Sequence, residues 1–317
     1  MSKIAFVFPG QGAQYVGMGK DVFEKYPNAA KVFEKANESL GLDIKTICFE
    51  GPKEELVKTE NTQPAILTTC VALLKVLEDA GIEADVTAGL SLGEYASLVY
   101  SGALEFEDAV KLVKKRGKYM QDAVPMGKGT MAAIIGLERD TVNEIVKEAG
   151  KIGIVEGANY NCPGQIVISG EVGAVEKACE IADEKGAVKA LKLSVSAPFH
   201  CKMLEPAGVK LNQELENITI KPMNKKVIAN VNAEYIENEN AIKELLIKQV
   251  SKSVLWEDTI ELMLKDGVET FIEIGPGKSI TGFIKKILRK NKQYKDKVST
   301  YNVEDAKSLE QLIEKMK

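Results

Sequence analysis

The stretch ADVTAGLSLGEYASLVY, residues 84–100, restricts the fold more than any other part of the chain. A short apolar run, ADVTA, leads into Gly89-Leu90-Ser91-Leu92-Gly93, and an apolar helical pattern follows at once. A strand that enters a helix through two glycines around a serine fits a sheet whose strands all end at one edge, with helices packed on its faces. The same spacing, GxSxG at a strand-to-helix turn, is a nucleophile elbow. The glycines let the backbone turn tightly, so the Ser91 hydroxyl projects from the sheet. The next amide, Leu92 N–H, then faces the oxygen of an attacked carbonyl at a helix N-terminus. The plainer alternative is a helix-capping serine between two turn glycines.

Strand and helix signals alternate through the first part of the chain. IAFVF (4–8) is a buried strand ending at Pro9-Gly10. Helical periodicity occupies 21–40, 64–80 and 106–122, and Pro125 follows. The pattern then changes. TMAAIIG (130–136), RDTVNEIVKEAG, IVEGANY, QIVISG, EVGAVEKACEIADEKG and AVKALKLSV give the order βαββαβ, the ferredoxin-like motif. The fold class is therefore α/β, with a parallel-sheet core and a small domain inserted over 127–196. The large domain takes 1–126 and 197–317. It resumes with the strands KVIANVN (226–232) and VETFIEIG (268–275), with a helix near 240–250 between them. The tail from 285 is lysine-rich and carries a weak final helix.

A hydroxyl needs a base to act as a nucleophile near neutral pH. The chain holds one histidine, His200, in SAPFHCKML, 109 residues after the serine. It lies on a proline-containing loop where the chain returns from the inserted domain. Cys201 beside it reads as a small core residue. FPGQGAQ (8–14) follows the first strand, and Gly10 and Gly12 allow a close turn that presents amides to a ligand. It is not a phosphate-binding loop, because GK[ST] is missing and Tyr15 stands where GxGxxG needs its third glycine. GPGKS (275–279) fails as well, since Ile272 replaces the first glycine. Arg116, in KLVKKRGKY, reads in isolation as one cation on an amphipathic helix.

Composition removes other classes. There are 42 Lys and Arg against 46 Asp and Glu, a net charge of −4, so nucleic acid is not the expected partner. No apolar run approaches the roughly 18 residues of a membrane span, and MSKIAFVFPG reads as a first strand rather than a signal peptide. Cysteines 48, 70, 162, 179 and 201 are odd in number and lack metal-ligand spacing. They point to reduced thiols in the cytoplasm and to no metal site.

FPGQGAQ, NTQPAILT, AGLSLGEYASL, KKRGKYMQ, NYNCPGQIVISG, APFHC and EIGPGK together closely resemble bacterial malonyl-CoA:acyl-carrier-protein transacylases of fatty-acid synthesis, in the family's order from residue 4 to about 288. The resemblance implies an α/β-hydrolase-like core plus a ferredoxin-like domain, with the site in the cleft between them. By motif, Ser91 resembles the nucleophile and His200 the base. The backbone amides of Gln11 and Leu92 resemble the oxyanion hole, and Arg116 the residue that holds the malonyl carboxylate. Gln249 looks like the residue whose backbone carbonyl orients the histidine. Malonyl-CoA and acyl carrier protein are the implied partners, coenzyme A entering as a substrate and no cofactor being required. Lys111, Lys114, Lys115 and Lys118, or the tail, are candidate docking cations for an acidic carrier. Many relatives have histidine where this chain has Leu90. Three alternatives stay open: a serine esterase or thioesterase on the same core, a polyketide-pathway acyltransferase, and a catalytically idle carrier-binding protein.

Overall fold

The computed structural model describes residues 3–193, 195 and 197–316. Nine strands are labelled in chain order: β1 Lys3–Phe8, β2 Val86–Gly89, β3 Gly129–Ile135, β4 Val155–Cys162, β5 Gln165–Glu171, β6 Lys189–Lys192, β7 Lys226–Val227, β8 Val268–Ile274 and β9 Ser299–Val303. They form two sheets, a five-stranded one in the order β7-β2-β1-β8-β9 and a four-stranded one in the order β4-β5-β3-β6.

Every pairing in the larger sheet is parallel. β1 lies at its centre, and Ala5, Phe6, Val7 and Phe8 are all buried, as expected of a strand covered on both faces. Phe6 and Phe8 face a large cluster that includes Leu67, Leu73 and Val113, while Ala5 and Val7 face a second cluster with Trp256, Phe271 and Ile284. The loops after β1 and β2 emerge side by side at the carboxyl edge of the sheet, where α/β folds bind ligands.

The smaller sheet is antiparallel throughout. Its alternation sorts the two faces. Ala132, Ile134, Ile166 and Ile168 pack under the helices Arg139–Ala149 and Val172–Glu184. Met131, Ala133 and Val167 point the other way, into a cleft shared with the larger sheet. Seven residues of β3 pair with β5, so the inner ladder holds the register of both faces.

The structure departs from the sequence expectations at five places. The helix expected over 21–40 is two, Lys20–Lys25 and Pro27–Leu40, because Tyr26 before the proline is extended. The helix expected from 64 begins at Thr59, and Pro64 lies inside it. The strand expected over 226–232 pairs in the sheet only at Lys226–Val227, and the chain then turns back through an isolated bridge between Ile228 and Tyr235. The tail supplies β9, paired in parallel with β8, and the helix Ala306–Met316, whose Leu309 and Leu312 are buried in the main cluster. The last small-sheet strand is shorter than read, Lys189–Lys192. Ser194, within the strand read as AVKALKLSV, and Ser196, where the inserted unit was read to end, lie outside the described residues.

Leu309→Ala is expected to cost about 2–5 kcal/mol, the range for truncating a buried leucine. Urea unfolding measures it. An unchanged midpoint would show that the tail helix is not part of the core.

Candidate active site

The nucleophile elbow is built by close backbone packing. Ser91 has a left-handed backbone, φ 52°, a conformation that costs an L-residue energy and persists only when its surroundings hold it. A methyl group on Gly93 would lie 2.3 Å from the Phe8 carbonyl oxygen, and one on Gly89 would lie 1.9 Å from the Gly93 carbonyl carbon. Only glycine allows the helix Gly93–Tyr100 to start this close to the sheet. The Leu90 N–H donates to Phe8 O at 2.9 Å, and the Gly93 N–H donates to Leu90 O at 2.9 Å. Asn230 completes the clamp. Its Oδ1 accepts from the Ser91 N–H at 2.6 Å, and its Nδ2 donates to Gly89 O at 2.8 Å.

His200 meets the serine across the sequence separation, with Ser91 Oγ 2.7 Å from its Nε2. Its other nitrogen, Nδ1, lies 2.9 Å from the backbone carbonyl of Gln249. A carbonyl can only accept, so the proton must sit on Nδ1, and Nε2 presents a lone pair to the serine hydroxyl. His200 is 4% exposed. Burial, then the nearby Arg116 charge, pull its pKa down to about 4. The imidazole is therefore neutral, the form a base requires.

Arg116, from the helix Phe106–Asp122, is 1% exposed and so is not on a solvated face. Its Nη1 donates to Gln63 Oε1 at 2.8 Å. Its Nη2 donates to Gln249 Oε1 at 2.9 Å and to Ser91 Oγ at 3.1 Å. Its guanidinium also lies 5.4 Å from the centre of the Tyr95 ring. Among the described residues it forms no ion pair. Burial lowers its pKa.

Glu94 is buried beside these groups, and burial pushes its pKa up to about 7. Its Oε2 accepts from Gln249 Nε2 at 2.7 Å and from the Asn230 N–H at 3.1 Å. Gln249 Nε2 also donates to Ser91 O at 2.9 Å.

Ser91, His200, Arg116 and Gln249 thus form one constellation. Gln11 lines the cleft with Ser91 and His200, and Leu92 caps the helix that follows Ser91. The cleft has a volume of about 720 Å³, within the range of a small-molecule site. Its far wall carries Asn159, Asn161 and Gln165 from the small sheet. Leu90 lines the same cleft with an apolar side chain. Cys201 is buried, and its thiol donates to Pro198 O at 3.2 Å. Lys111, Lys115 and Lys118 are paired with Asp108, Glu214 and Asp122.

Gln63, Glu94 and Asn230 were not singled out from sequence. The available signal was polarity inside otherwise apolar stretches. Residues 59–79 form a helix buried almost all round, where Gln63 stands out, and Glu94 is the one charge in GEYASLVY.

The acyl transferase domain family matches residues 5–315. The chain is 46% identical over its whole length to a malonyl CoA-acyl carrier protein transacylase of Bacillus subtilis, covering 98% of that protein. It is 45% identical over 91% of its length to the protein of the same name from Escherichia coli K12, covering 94% of it. Among solved structures, a malonyl CoA-acyl carrier protein transacylase from Clostridium perfringens superimposes with a TM-score of 0.94 at 51% identity, over 99% of this chain and 97% of that one. A malonyl-transacylase in complex with its type II polyketide acyl-carrier protein gives 0.94 at 40% identity, over 99% and 100%.

The depressed histidine predicts the acid limb of serine reactivity. Protonation silences the base, so labelling of Ser91 by a fluorophosphonate should hold its rate down to about pH 5 and fall toward pH 4. A midpoint near 6.5, the value for an exposed imidazole, would contradict the buried neutral state.

Proposed function

The chain belongs to the acyl transferase domain family, and from that premise we propose a mechanism in which Ser91 and His200 carry the acyl group and Arg116 selects it. The activity is that of a malonyl-CoA:acyl-carrier-protein S-malonyltransferase in fatty acid synthesis. The observation that carries the mechanism is the 2.7 Å approach of Ser91 Oγ to His200 Nε2, with Arg116 Nη2 3.1 Å from the same oxygen.

Malonyl-CoA enters with its thioester carbonyl against Ser91. His200 Nε2 takes the hydroxyl proton as Oγ bonds to the carbonyl carbon. The resulting oxyanion is received by the Gln11 and Leu92 amides, and each such donor is typically worth about 100-fold or more in rate. The carbon–sulfur bond then breaks, and the Nε2 proton passes to the departing thiolate. The phosphopantetheine thiol of the carrier runs the same steps in reverse, releasing Ser91 and giving ping-pong kinetics.

Arg116 serves selection in two ways. The malonyl carboxylate lies one methylene beyond the thioester carbonyl, within the neighbourhood of a guanidinium that already touches the nucleophile. A planar fork suits a carboxylate better than an ammonium does. Burial holds His200 down first and the Arg116 charge second; the carboxylate offsets the second, so the base strengthens in part once malonyl is bound. Acetyl-CoA supplies neither effect and leaves the buried cation unpaired.

The five cysteines are free thiols, and no helix among the described residues is long and apolar enough to cross a membrane. These features support reading the enzyme as cytoplasmic and its partners as malonyl-CoA and a soluble carrier. The inserted stretch 127–196 is proposed as a separate small domain that supplies the far wall of the cleft.

Intact mass after brief mixing with malonyl-CoA tests the reaction. A malonyl adduct should form, vanish in Ser91→Ala, and move to added carrier protein. His200→Ala should slow its formation by about 100- to 10,000-fold. An adduct lost to water with the carrier unmodified would indicate a thioesterase. Transfer to a polyketide carrier alone would move the enzyme to that pathway.

Arg116→Ala should lower kcat/KM for malonyl-CoA on the order of 100-fold or more, and for acetyl-CoA by less than about 10-fold. Equal losses would remove Arg116 from acyl-group selection.

A further inference from the structure

Glu94 is a carboxylate placed where it meets neither solvent nor the cleft. It lies in the first turn of the helix Gly93–Tyr100 and is 1% exposed. Its Oε2 accepts from Gln249 Nε2 at 2.7 Å. The other end of the same amide, Gln249 Oε1, accepts from Arg116 Nη2 at 2.9 Å. The amide therefore bridges an anion and a cation, and only one orientation serves both. A carboxylate only accepts, so it fixes the NH₂ end; a guanidinium only donates, so it needs the oxygen end. A reversed amide would set oxygen against carboxylate and NH₂ against guanidinium.

This relay bears on how the site holds a desolvated cation. The groups that accept from Arg116, those of Gln63, Gln249 and Ser91, are all uncharged. An anion bonded directly to the guanidinium would compete with an incoming carboxylate for the same donors. Glu94 places a carboxyl group one residue away, and in its ionised form it compensates Arg116 without occupying it.

We propose that Glu94 is a positioning residue for acyl-group selection: by pinning the Gln249 amide it holds the Arg116 guanidinium against the Ser91 hydroxyl, and so sets where the substrate carboxylate is received. The proposal rests on reading Arg116 as the group that receives that carboxylate. The competing view is that Glu94 only braces the elbow through Asn230, whose N–H it accepts at 3.1 Å. A brace would serve every acyl group alike, whereas the relay serves only acyl groups bearing a carboxylate.

The test is kcat/KM for malonyl-CoA and acetyl-CoA in the wild type, Glu94→Gln, Arg116→Ala and the double variant. Glu94→Gln keeps the shape, removes the charge and lets the Gln249 amide reverse. It should lower malonyl transfer roughly 10- to 100-fold, the worth of a hydrogen bond to a charged group, and acetyl transfer by less than about threefold. In the Arg116→Ala background the same change should add almost nothing, because the two residues act in series. Equal losses for both acyl groups, or losses that multiply in the double variant, would overturn the relay. If Glu94→Gln does not fold, Glu94→Asp takes its place. It keeps a carboxylate but draws it back by one methylene from the Gln249 amide, so it should show the same selective loss, and an equal loss for both acyl groups would again overturn the relay. Arg116→Ala losing both equally would overturn the carboxylate reading, and this proposal with it.

Discussion

A guanidinium buried to 1% exposure is the constraint around which this site is organised. Removing a cation from water is costly unless every donor finds a partner. Arg116 comes from the helix Phe106–Asp122. Its acceptors come from the helices Thr59–Asp79 and Glu239–Ser251 and from Ser91 at the elbow, and the Tyr95 ring from the helix Gly93–Tyr100. Four helices and the elbow are thereby committed to one charge. Its Nε finds no hydrogen-bond partner among the described residues, so one donor of the buried cation is left over. In the proposed mechanism the substrate carboxylate answers that cation, and selection would follow from the cost of burying it without one.

The base is arranged to fit that cation. In a Ser-His-Asp triad a carboxylate stabilises the imidazolium. Here a backbone carbonyl holds Nδ1 instead. It fixes the tautomer equally well and contributes no negative charge, so the imidazolium is less favoured and the resting base stays neutral beside Arg116. A thioester tolerates this. Its leaving group is a thiolate, which departs with less need for a strong acid than an amine does, and this leaves room for the proposed use of Arg116 in choosing the acyl group.

Local patterns were legible in the sequence because they are set by neighbours along the chain. The helix Phe106–Asp122 begins and ends where its periodicity does. The glycine spacing around Ser91 identifies the elbow, and the βαββαβ order yields an antiparallel sheet with its first and third strands at the centre. The contacts that finish the site are different in kind. Asn230 reads as part of an alternating strand, yet the chain leaves the sheet after Val227 and the side chain turns to an elbow 139 residues away. Nothing in VIANVN distinguishes the two outcomes. Gln63 was hidden for a related reason: Pro64 suggests a helix start, and only the longer helix brings Gln63 to Arg116. The lysine-rich composition of the tail likewise concealed β9, although STYNV has the β-branched and aromatic residues of a strand.

The cleft wall and the base are held by one short segment, which limits how the site can open. Gln249 O accepts from His200. Within the next few residues the Val254 N–H donates to Ala158 O at 2.8 Å, Val254 O accepts from the Tyr160 N–H at 2.9 Å, and Ser253 Oγ donates to Gly157 O at 2.6 Å. These bonds extend the small sheet along β4, the strand that carries Asn159 and Asn161 into the cleft. Swinging the small sheet away from the large one would break that ladder and loosen the carbonyl that sets the histidine tautomer. Leu90 adds to the argument from the other wall: its backbone ties the elbow to β1 while its side chain offers the cleft only apolar surface. The geometry therefore favours a pre-formed site, in which the polar groups around Ser91 are held in place by the packing of both sheets rather than assembled by a closing motion.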